Sequence, residues 1–410
     1  MSEHVETVIV GGGQAGLAVS YHLSQQGRPH TILEQASKPA EAWRNHRWDS
    51  FTLVTPNWML RMPGAEYQGD DPEGFMPREE VVAYLEGYVE RFRLPIQYGV
   101  RVNSVEKTGT GYLVHTDEAT VEADNVVIAM GLFQQPKIPP SSADLLLEVL
   151  QLHSSEYRNP AGLPAGAVLV DGSAQSGGQI AEELYLSGRK VYLCVSSAGW
   201  GPRRYRGQDI VRWMDRAGFN SVTVDKLPSP KMRFAPNPRV SGKDGGRTLN
   251  LHQFARDGVI LLGRIQGAHG GKITLAPDLK ENLAKSDKFR ADLLKRIDDY
   301  IEKAGLDVPP AALPELRDGY DAEVITELDV QSAGITSVIW ATGYRFDFSL
   351  VQLPVVDADG YPVQKRGVTG FPGLYFVGLP WLHTSGSGVF GGVGDDAAFI
   401  VADIAGKRLR

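Results

Sequence analysis

The chain has 410 residues, a formal net charge of −7 at pH 7 and 42% hydrophobic residues. That length exceeds one compact core and suits two domains, and the acidic balance argues against a nucleic-acid-binding surface. A single cysteine, Cys194, excludes an intrachain disulfide framework and any Cys-x-x-Cys redox pair.

In chain order, residues 7–10 read as a strand, 14–26 as a helix and 30–34 as a second strand, a compact βαβ unit. Between Arg78 and Leu94, apolar Val81, Val82, Leu85, Tyr88, Val89 and Phe92 recur at helical spacing, with Glu79, Glu80, Glu86, Glu90 and Arg91 largely opposite. Short strands are expected near 97–105, 111–116 and 126–130. Pro136, Pro139, Pro140, Pro160 and Pro164 then punctuate a connection. A second βαβ unit runs from Val168 through a helix near 178–187 to a strand at 191–196. Cys194 lies in its apolar run and reads as a small buried strand residue. Residues 200–250 have no clear period and suggest an irregular excursion over an active site. Helical spacing returns at 278–304, strands are expected at 338–341 and 374–377, and 392–404 reads as a helix opened by glycines. No apolar stretch approaches transmembrane length, and Glu3 and Glu6 stand where a signal peptide carries positive charge. A cytoplasmic protein with no membrane or nucleic-acid partner is expected. The nine histidines show no metal-ligand spacing, so no metal site is expected.

Each βαβ unit carries a glycine fingerprint. The first is Gly11-Gly12-Gly13-Gln14-Ala15-Gly16 and the second Gly172-Ser173-Ala174-Gln175-Ser176-Gly177. Such glycines permit a tight turn, approach of backbone to a pyrophosphate, and close helix–sheet packing. The helix N-terminus then offers free N–H groups and a positive dipole. Glu34, followed by Gln35, ends the second strand, where an acid accepts hydrogen bonds from an adenosine ribose. The second fingerprint has Ala174 at its middle glycine, and its strand ends at Ser196-Ser197 with no acid. Arg203, Arg204 and Arg206 follow closely. Absence of an acid plus nearby arginines suits a ribose 2′-phosphate, hence NADPH over NADH; a solvated basic loop is the alternative. Two further strand-to-glycine endings, Ala129-Met130-Gly131 and Ala341-Thr342-Gly343-Tyr344, suit a chain that crosses twice between domains. Two dinucleotides in one chain point to electron transfer between a flavin and a nicotinamide.

With these motifs the chain resembles single-component flavin-containing monooxygenases. Supporting segments are Ala42-Trp43-Arg44, His153-Ser154-Ser155-Glu156-Tyr157-Arg158, Ala341-Thr342-Gly343-Tyr344 and Gly373-Leu374-Tyr375-Phe376-Val377-Gly378. The family signature carries an aromatic residue six before the histidine and a glycine four before it; here Leu147 and Val149 stand there. The segment from Trp48 to Trp58 is similar to a bacterial subgroup often encoded beside a nitrilase, a hint of nitrogenous substrates.

The resemblance implies an α/β fold with two Rossmann-like dinucleotide-binding domains, the NAD(P)H domain (161–329) inserted in a discontinuous FAD domain (1–160 and 330–410). Gly11, Gly13, Gln14, Ala15 and Gly16 would meet the FAD pyrophosphate, Glu34 and Gln35 the ribose, and Val102 the adenine through its backbone. Trp43 and Arg44 would lie along the flavin, or else pack under a loop. Ala129, Gly131, Thr342, Gly343, Gly378 and Gly391 would line the cofactors where the chain turns. Ser173, Ala174, Gln175, Ser176, Gly177, Arg203 and Arg204 would hold NADPH. The implied reaction has NADPH reduce FAD, dioxygen add at flavin C4a as a (hydro)peroxyflavin, and one oxygen atom pass to a small nitrogen- or sulfur-containing or carbonyl substrate. Asn57 is the candidate donor to the peroxide, with a turn role after Pro56 as its alternative. His153 is expected to fix the inter-domain linker rather than take protons. A reductase passing electrons to a partner and a non-catalytic FAD-binding redox sensor are the competing readings, and a homodimer is left open.

Overall fold

Two parallel sheets frame the molecule, and the computed structural model describes residues 3–145 and 148–406 of it. The chain enters through β1 (Glu3–Val10), turns into α1 (Gln14–Gln25) and returns as β2 (His30–Glu34). Helix α2 (Arg78–Phe92) leads to β3 (Ile96–Tyr98), β4 (Val102–Lys107), β5 (Tyr112–Thr116) and β6 (Thr120–Ile128). Strands β3–β2–β1–β6 lie parallel in that order, and β4 and β5 form an antiparallel ribbon joined to β6. Val8 and Ile9 are fully buried, each in a different apolar cluster, because both faces of the sheet are covered. That double cover gives the strand its unbroken apolar run.

The second sheet begins with β7 (Leu150–His153), β8 (Ala167–Asp171), α3 (Gln175–Leu186), β9 (Val191–Cys194) and β10 (Ile260–Leu262). Strands β11 (Ile265–His269) and β12 (Lys272–Leu275), helix α4 (Leu279–Ala304), β13 (Glu327–Asp329) and β14 (Ile335–Trp340) follow. The parallel order is β7–β14–β8–β9–β10, with β11–β12–β13 as a small antiparallel sheet. Helix α4 buries Leu279, Leu283, Leu293, Ile297 and Ile301, and carries Lys288–Asp292 and Lys295–Asp299 pairs on its outer face. Gly305, in the left-handed conformation (φ +61°), ends it.

The chain then rejoins the first sheet, β15 (Leu374–Phe376) pairing in parallel with β6, and α5 (Val393–Ile404) packs on α1. The fold is therefore α/β with two Rossmann-like units, the second inserted in the first. Its edges differ from the expected 161–329: β7 and β14 both belong to the second sheet. The two crossings run side by side, Gln135–Pro136 pairing antiparallel with Tyr344–Arg345, and Lys137 N–H donates to Gly343 O (2.9 Å). The prolines that punctuate the connection conceal β7, whose four residues are too few for a visible period.

The aperiodic stretch 200–250 holds a hairpin, Arg204–Tyr205 with Gln208–Asp209, and a short helix, Ile210–Arg216. Its middle lies on the first unit: Val224 N–H donates to His383 O (2.8 Å) and Arg233 pairs with Asp357 (2.5 Å). Among the described residues no helix is long and apolar enough to cross a membrane, and no cluster of three His, Cys, Asp or Glu side chains could hold a metal.

Candidate active site

The first fingerprint is built by close approach. Gly11 has φ +108°, and a Cβ there would stand 2.7 Å from Ala129 O; a Cβ on Gly16 would overlap Gly11 O. Only glycine fits a left-handed turn pressed between strand and helix. Gly13, by contrast, has nothing within 4 Å of where a Cβ would point. It is the N-cap of α1, with no side-chain cap and no acid in the first turn. An uncapped helix N-terminus of this kind can seat a phosphate. Glu34 stands beside it: Oε2 accepts from Gly12 N–H (2.6 Å) and Oε1 from Ala36 N–H (2.8 Å). That leaves lone pairs of a fixed carboxylate for a ribose diol. Gln35 is exposed, and Val102 starts β4 close by, two residues after Val100, whose N–H donates to Glu34 O (3.0 Å).

Tail and fingerprint meet. Gln14 Nε2 donates to Gly388 O (2.9 Å), and a Cβ on Gly378 would overlap that of Ala15. Gly391 faces Met59, and Phe390 stacks on Trp43 with ring centroids 5.7 Å apart. Trp43 therefore lies with the tail beside the fingerprint. Arg44 turns away, pairing with Glu86 of α2 (2.6 Å). Asn57 is 7% exposed; its Nδ2 donates to Asp71 O (3.0 Å), and Oδ1 is buried without a partner. Its amide thus ties the short helix after Pro56 to the backbone at Asp71.

The second fingerprint repeats the first in detail. Gly172 has φ +104°, a Cβ there would stand 2.7 Å from Ala341 O, and one on Gly177 would overlap Gly172 O. Ala129 and Ala341 are thus equivalent posts. Ala174 caps α3 in extended backbone, and Gln175 ties the cap to Val240, accepting from Val240 N–H (3.2 Å) and donating to its carbonyl. Ser173 Oγ accepts from Ser196 N–H (2.9 Å). Leu33 pairs with Val10 before Gly11, and Cys194 with Asp171 before Gly172. The position of Glu34 therefore falls to buried Val195, and the ribose acid is missing.

Arg203 and Arg204 are both engaged within the protein. Arg203 is 1% exposed; its Nε donates to Asp209 (2.7 Å), Nη1 to Val54 O (2.8 Å), and the guanidinium lies 4.1 Å from the Phe75 ring. Burial lowers its pKa to about 10. Arg204 also pairs with Asp209. The hairpin sets Asp209 opposite Arg204, so the two guanidinium groups share that one carboxylate.

At the crossings, His153 is fully buried. Its Nε2–H donates to Gly343 O (3.1 Å), Nδ1 accepts from Ser155 N–H (3.2 Å), and burial lowers its pKa. A neutral ring with both nitrogens engaged is a linker fastener. Gly131 (φ +67°) and Gly343 (φ +81°) turn the two crossings, and Thr342 Oγ1 donates to Lys137 O. Ser176 is the second residue of α3. Arg47, unforeseen in the sequence, lies buried with its guanidinium 4.5 Å from Phe133, 5.3 Å from Trp43 and 5.6 Å from Phe51. No periodic pattern marks it, since its neighbours come from separate loops. Val149 is buried; Leu147 lies outside the described residues.

Two equivalent glycine cradles, one with a ribose acid and one without, on parallel sheets joined by paired crossings, define a two-dinucleotide flavoprotein oxidoreductase. The chain belongs to the pyridine nucleotide-disulphide oxidoreductase family, which residues 8–232 match. It is 33% identical over 406 residues to an uncharacterized oxidoreductase, CzcO-like, of Geobacillus kaustophilus, covering 98% of this chain and 99% of that one. It is 26% identical over 428 residues to the probable indole-3-pyruvate monooxygenase YUCCA3 of Arabidopsis thaliana, covering 98% and 86%. Among solved structures, a flavin-containing monooxygenase from Stenotrophomonas maltophilia shares the fold with a TM-score of 0.67 at 21% identity, over 98% and 99% of the chains.

Proposed function

We propose that the protein is an FAD-dependent, NADPH-using monooxygenase that oxygenates a small nitrogen- or sulfur-containing or carbonyl compound with dioxygen. The observation that carries this reading is the pair of matched cradles, with Glu34 at one and no acid at the other. The first fits FAD: Gly11, Gly13 and Gly16 would shape the pyrophosphate seat, Glu34 would accept from the ribose, and Trp43, Gly378 and Gly391 would line the flavin end. The second fits the nicotinamide dinucleotide through Ser173, Ala174, Gln175, Ser176 and Gly177. Bound flavin supplies hydride acceptance and oxygen activation. The chain's own contribution is to orient the two nucleotides and to keep water from the reacting centre. The segment between Phe219 and Ser241, fastened across both units, suits that exclusion. A dithiol relay to a partner is not available: Cys194 is the one cysteine, it is buried, and burial and neighbouring Asp171 push its thiol pKa well up. The relatives named as monooxygenases support oxygen transfer over simple electron transfer.

The test is NADPH-driven oxygen uptake by the purified protein against panels of amines, sulfides and ketones, with products read by mass spectrometry. A product heavier by one oxygen atom is expected in one class. Full recovery of the oxygen as hydrogen peroxide across all classes would overturn the oxygenase reading in favour of a reductase.

A further inference from the structure

The loop after β9 is where the second unit must distinguish a ribose hydroxyl from a ribose phosphate. Helix α4 holds that loop. Asn282 Nδ2 donates to Val195 O (3.0 Å), Ser286 Oγ to Ala198 O (2.7 Å), and Trp200 Nε1 to Asp287 (3.1 Å). The arginines next in sequence are already engaged, Arg203 and Arg204 sharing Asp209 and Arg206 paired with Asp298.

Two guanidinium groups from elsewhere reach the loop instead. Arg239 N–H donates to Gly199 O (2.9 Å), and its side chain runs past Gly178, where a Cβ would stand 2.6 Å from Arg239 Cδ. Nη1 then donates to Ser173 O within the fingerprint, and Nε to Leu249 O (3.2 Å). The side chain is fully buried and Nη2 has no partner. The carboxylate that acts on it is Asp287, which already accepts from His252, Tyr320 and Trp200. Arg290, half-buried on α4, holds its guanidinium 4.8 Å from the Trp200 ring, and its Nε is buried without a partner. Neither arginine forms an ion pair among the described residues. The contrast with the first unit is direct. There the residue after the first glycine, Gly12, faces the acid Glu34; here its counterpart Ser173 faces a cation.

We propose that Arg290 and Arg239 make the second fingerprint select a nucleotide bearing a ribose 2′-phosphate, Arg290 as the direct partner and Arg239 as the positioning cation behind Ser173. This rests on the reading of the second unit as the nicotinamide site. With the pyrophosphate seated on the α3 N-terminus, a 2′-phosphate would fall at the Ser196-Ser197 side of the loop. A phosphate monoester carries close to two negative charges, and a guanidinium meets it bidentately. Cations without an ion-pair partner at that place favour the charged ribose and give nothing to the uncharged one.

The experiment compares adenosine 2′,5′-bisphosphate with 5′-AMP, which differ only by the 2′-phosphate, by calorimetric titration of the purified protein and of Arg290→Gln, Arg239→Lys and Arg239→Met. The natural protein should bind the bisphosphate about tenfold tighter or more, and Arg290→Gln should lose about tenfold of that ratio with 5′-AMP unchanged. Arg239→Lys should keep most of the ratio and Arg239→Met should lower it. A merely structural Arg239 would weaken both ligands equally, which overturns its part. If the Arg239 variants fail to fold, Arg290→Gln decides alone. An unchanged ratio in Arg290→Gln overturns the proposal. So does a natural ratio near one in a protein whose flavin is reduced by NADH, a result that leaves the nicotinamide reading standing. Failure of both nucleotides to bind, with neither NADH nor NADPH reducing the flavin, removes both.

Discussion

Gly13 separates ligand from fold more cleanly than any other residue in the molecule. Its backbone is extended (φ −76°, ψ 179°), a conformation open to any residue, and nothing stands within 4 Å of its Cβ direction. It is also the N-cap of α1, a helix without a side-chain cap. Aspartate is a favoured N-cap, so Gly13→Asp should hold or raise the stability of the cofactor-free protein, by a few tenths of a kcal/mol. The same carboxylate would stand in the phosphate seat. A like charge about 4 Å away at an effective dielectric near 20 costs about 4 kcal/mol, or roughly a thousandfold in affinity. Gly13→Asn supplies similar volume without the charge and should lose much less. Gly16→Ala is the opposite case: its Cβ meets the Gly11 carbonyl, a backbone oxygen that cannot swing aside, and should cost about 1–3 kcal/mol of stability along with the cofactor. The assays are absorbance near 450 nm per protein after gel filtration, FAD titration of stripped protein, and melting of the stripped form. Natural flavin content in Gly13→Asp, or a melting temperature lowered as far as in Gly16→Ala, would refute the assignment of this seat.

Arg203→Met should lower stability by about 1.5–3 kcal/mol, because it removes a buried charged hydrogen bond and leaves Asp209 with only the half-exposed Arg204. Its ratio of KM values for NADPH and NADH should stay that of the natural protein; a selective rise for NADPH would return Arg203 to the phosphate. Asp171 offers a pH test: burial raises its pKa to about 6 from 3.8. The folded state then keeps the proton at pH values where the unfolded chain has released it. Stability attached to this carboxyl is full below pH 3.8 and declines as pH rises through about 6. Asp171→Asn should therefore melt higher than the natural protein at pH 7–8, by on the order of 2 kcal/mol, with the advantage gone near pH 4. A pH-independent difference between the two melting curves would count against that carboxyl as the source. Cys194→Ala should retain NADPH-driven turnover at a stability loss of about 1 kcal/mol, and the natural thiol should react with a disulfide reagent only on unfolding. Loss of turnover in the alanine variant would bring thiol chemistry back.

Local rules were enough for the two βαβ units. Gly16 and Gly177 are required by the carbonyls of Gly11 and Gly172 in the same turn, and Glu34 follows from the register of two adjacent strands. The helices over 78–92 and 279–304 announce themselves because one stripe of each is buried and the other solvated. The lone cysteine and the ending of the first sheet at residues 374–376 are equally plain in the chain. Other features needed the tertiary structure. Whether Arg203 faces solvent or core depends on Asp209, brought back by a hairpin whose two-residue strands leave no periodic trace. The edges of the inserted unit depend on β7, which is a strand only because β14, almost two hundred residues later, lies beside it. Arg239 and Arg290 come to one loop from a stretch without period and from the flank of a long helix. Charge in a sequence is a property of a residue, but a free charge is a property of its surroundings, and those surroundings are assembled from segments that only the folded chain brings together.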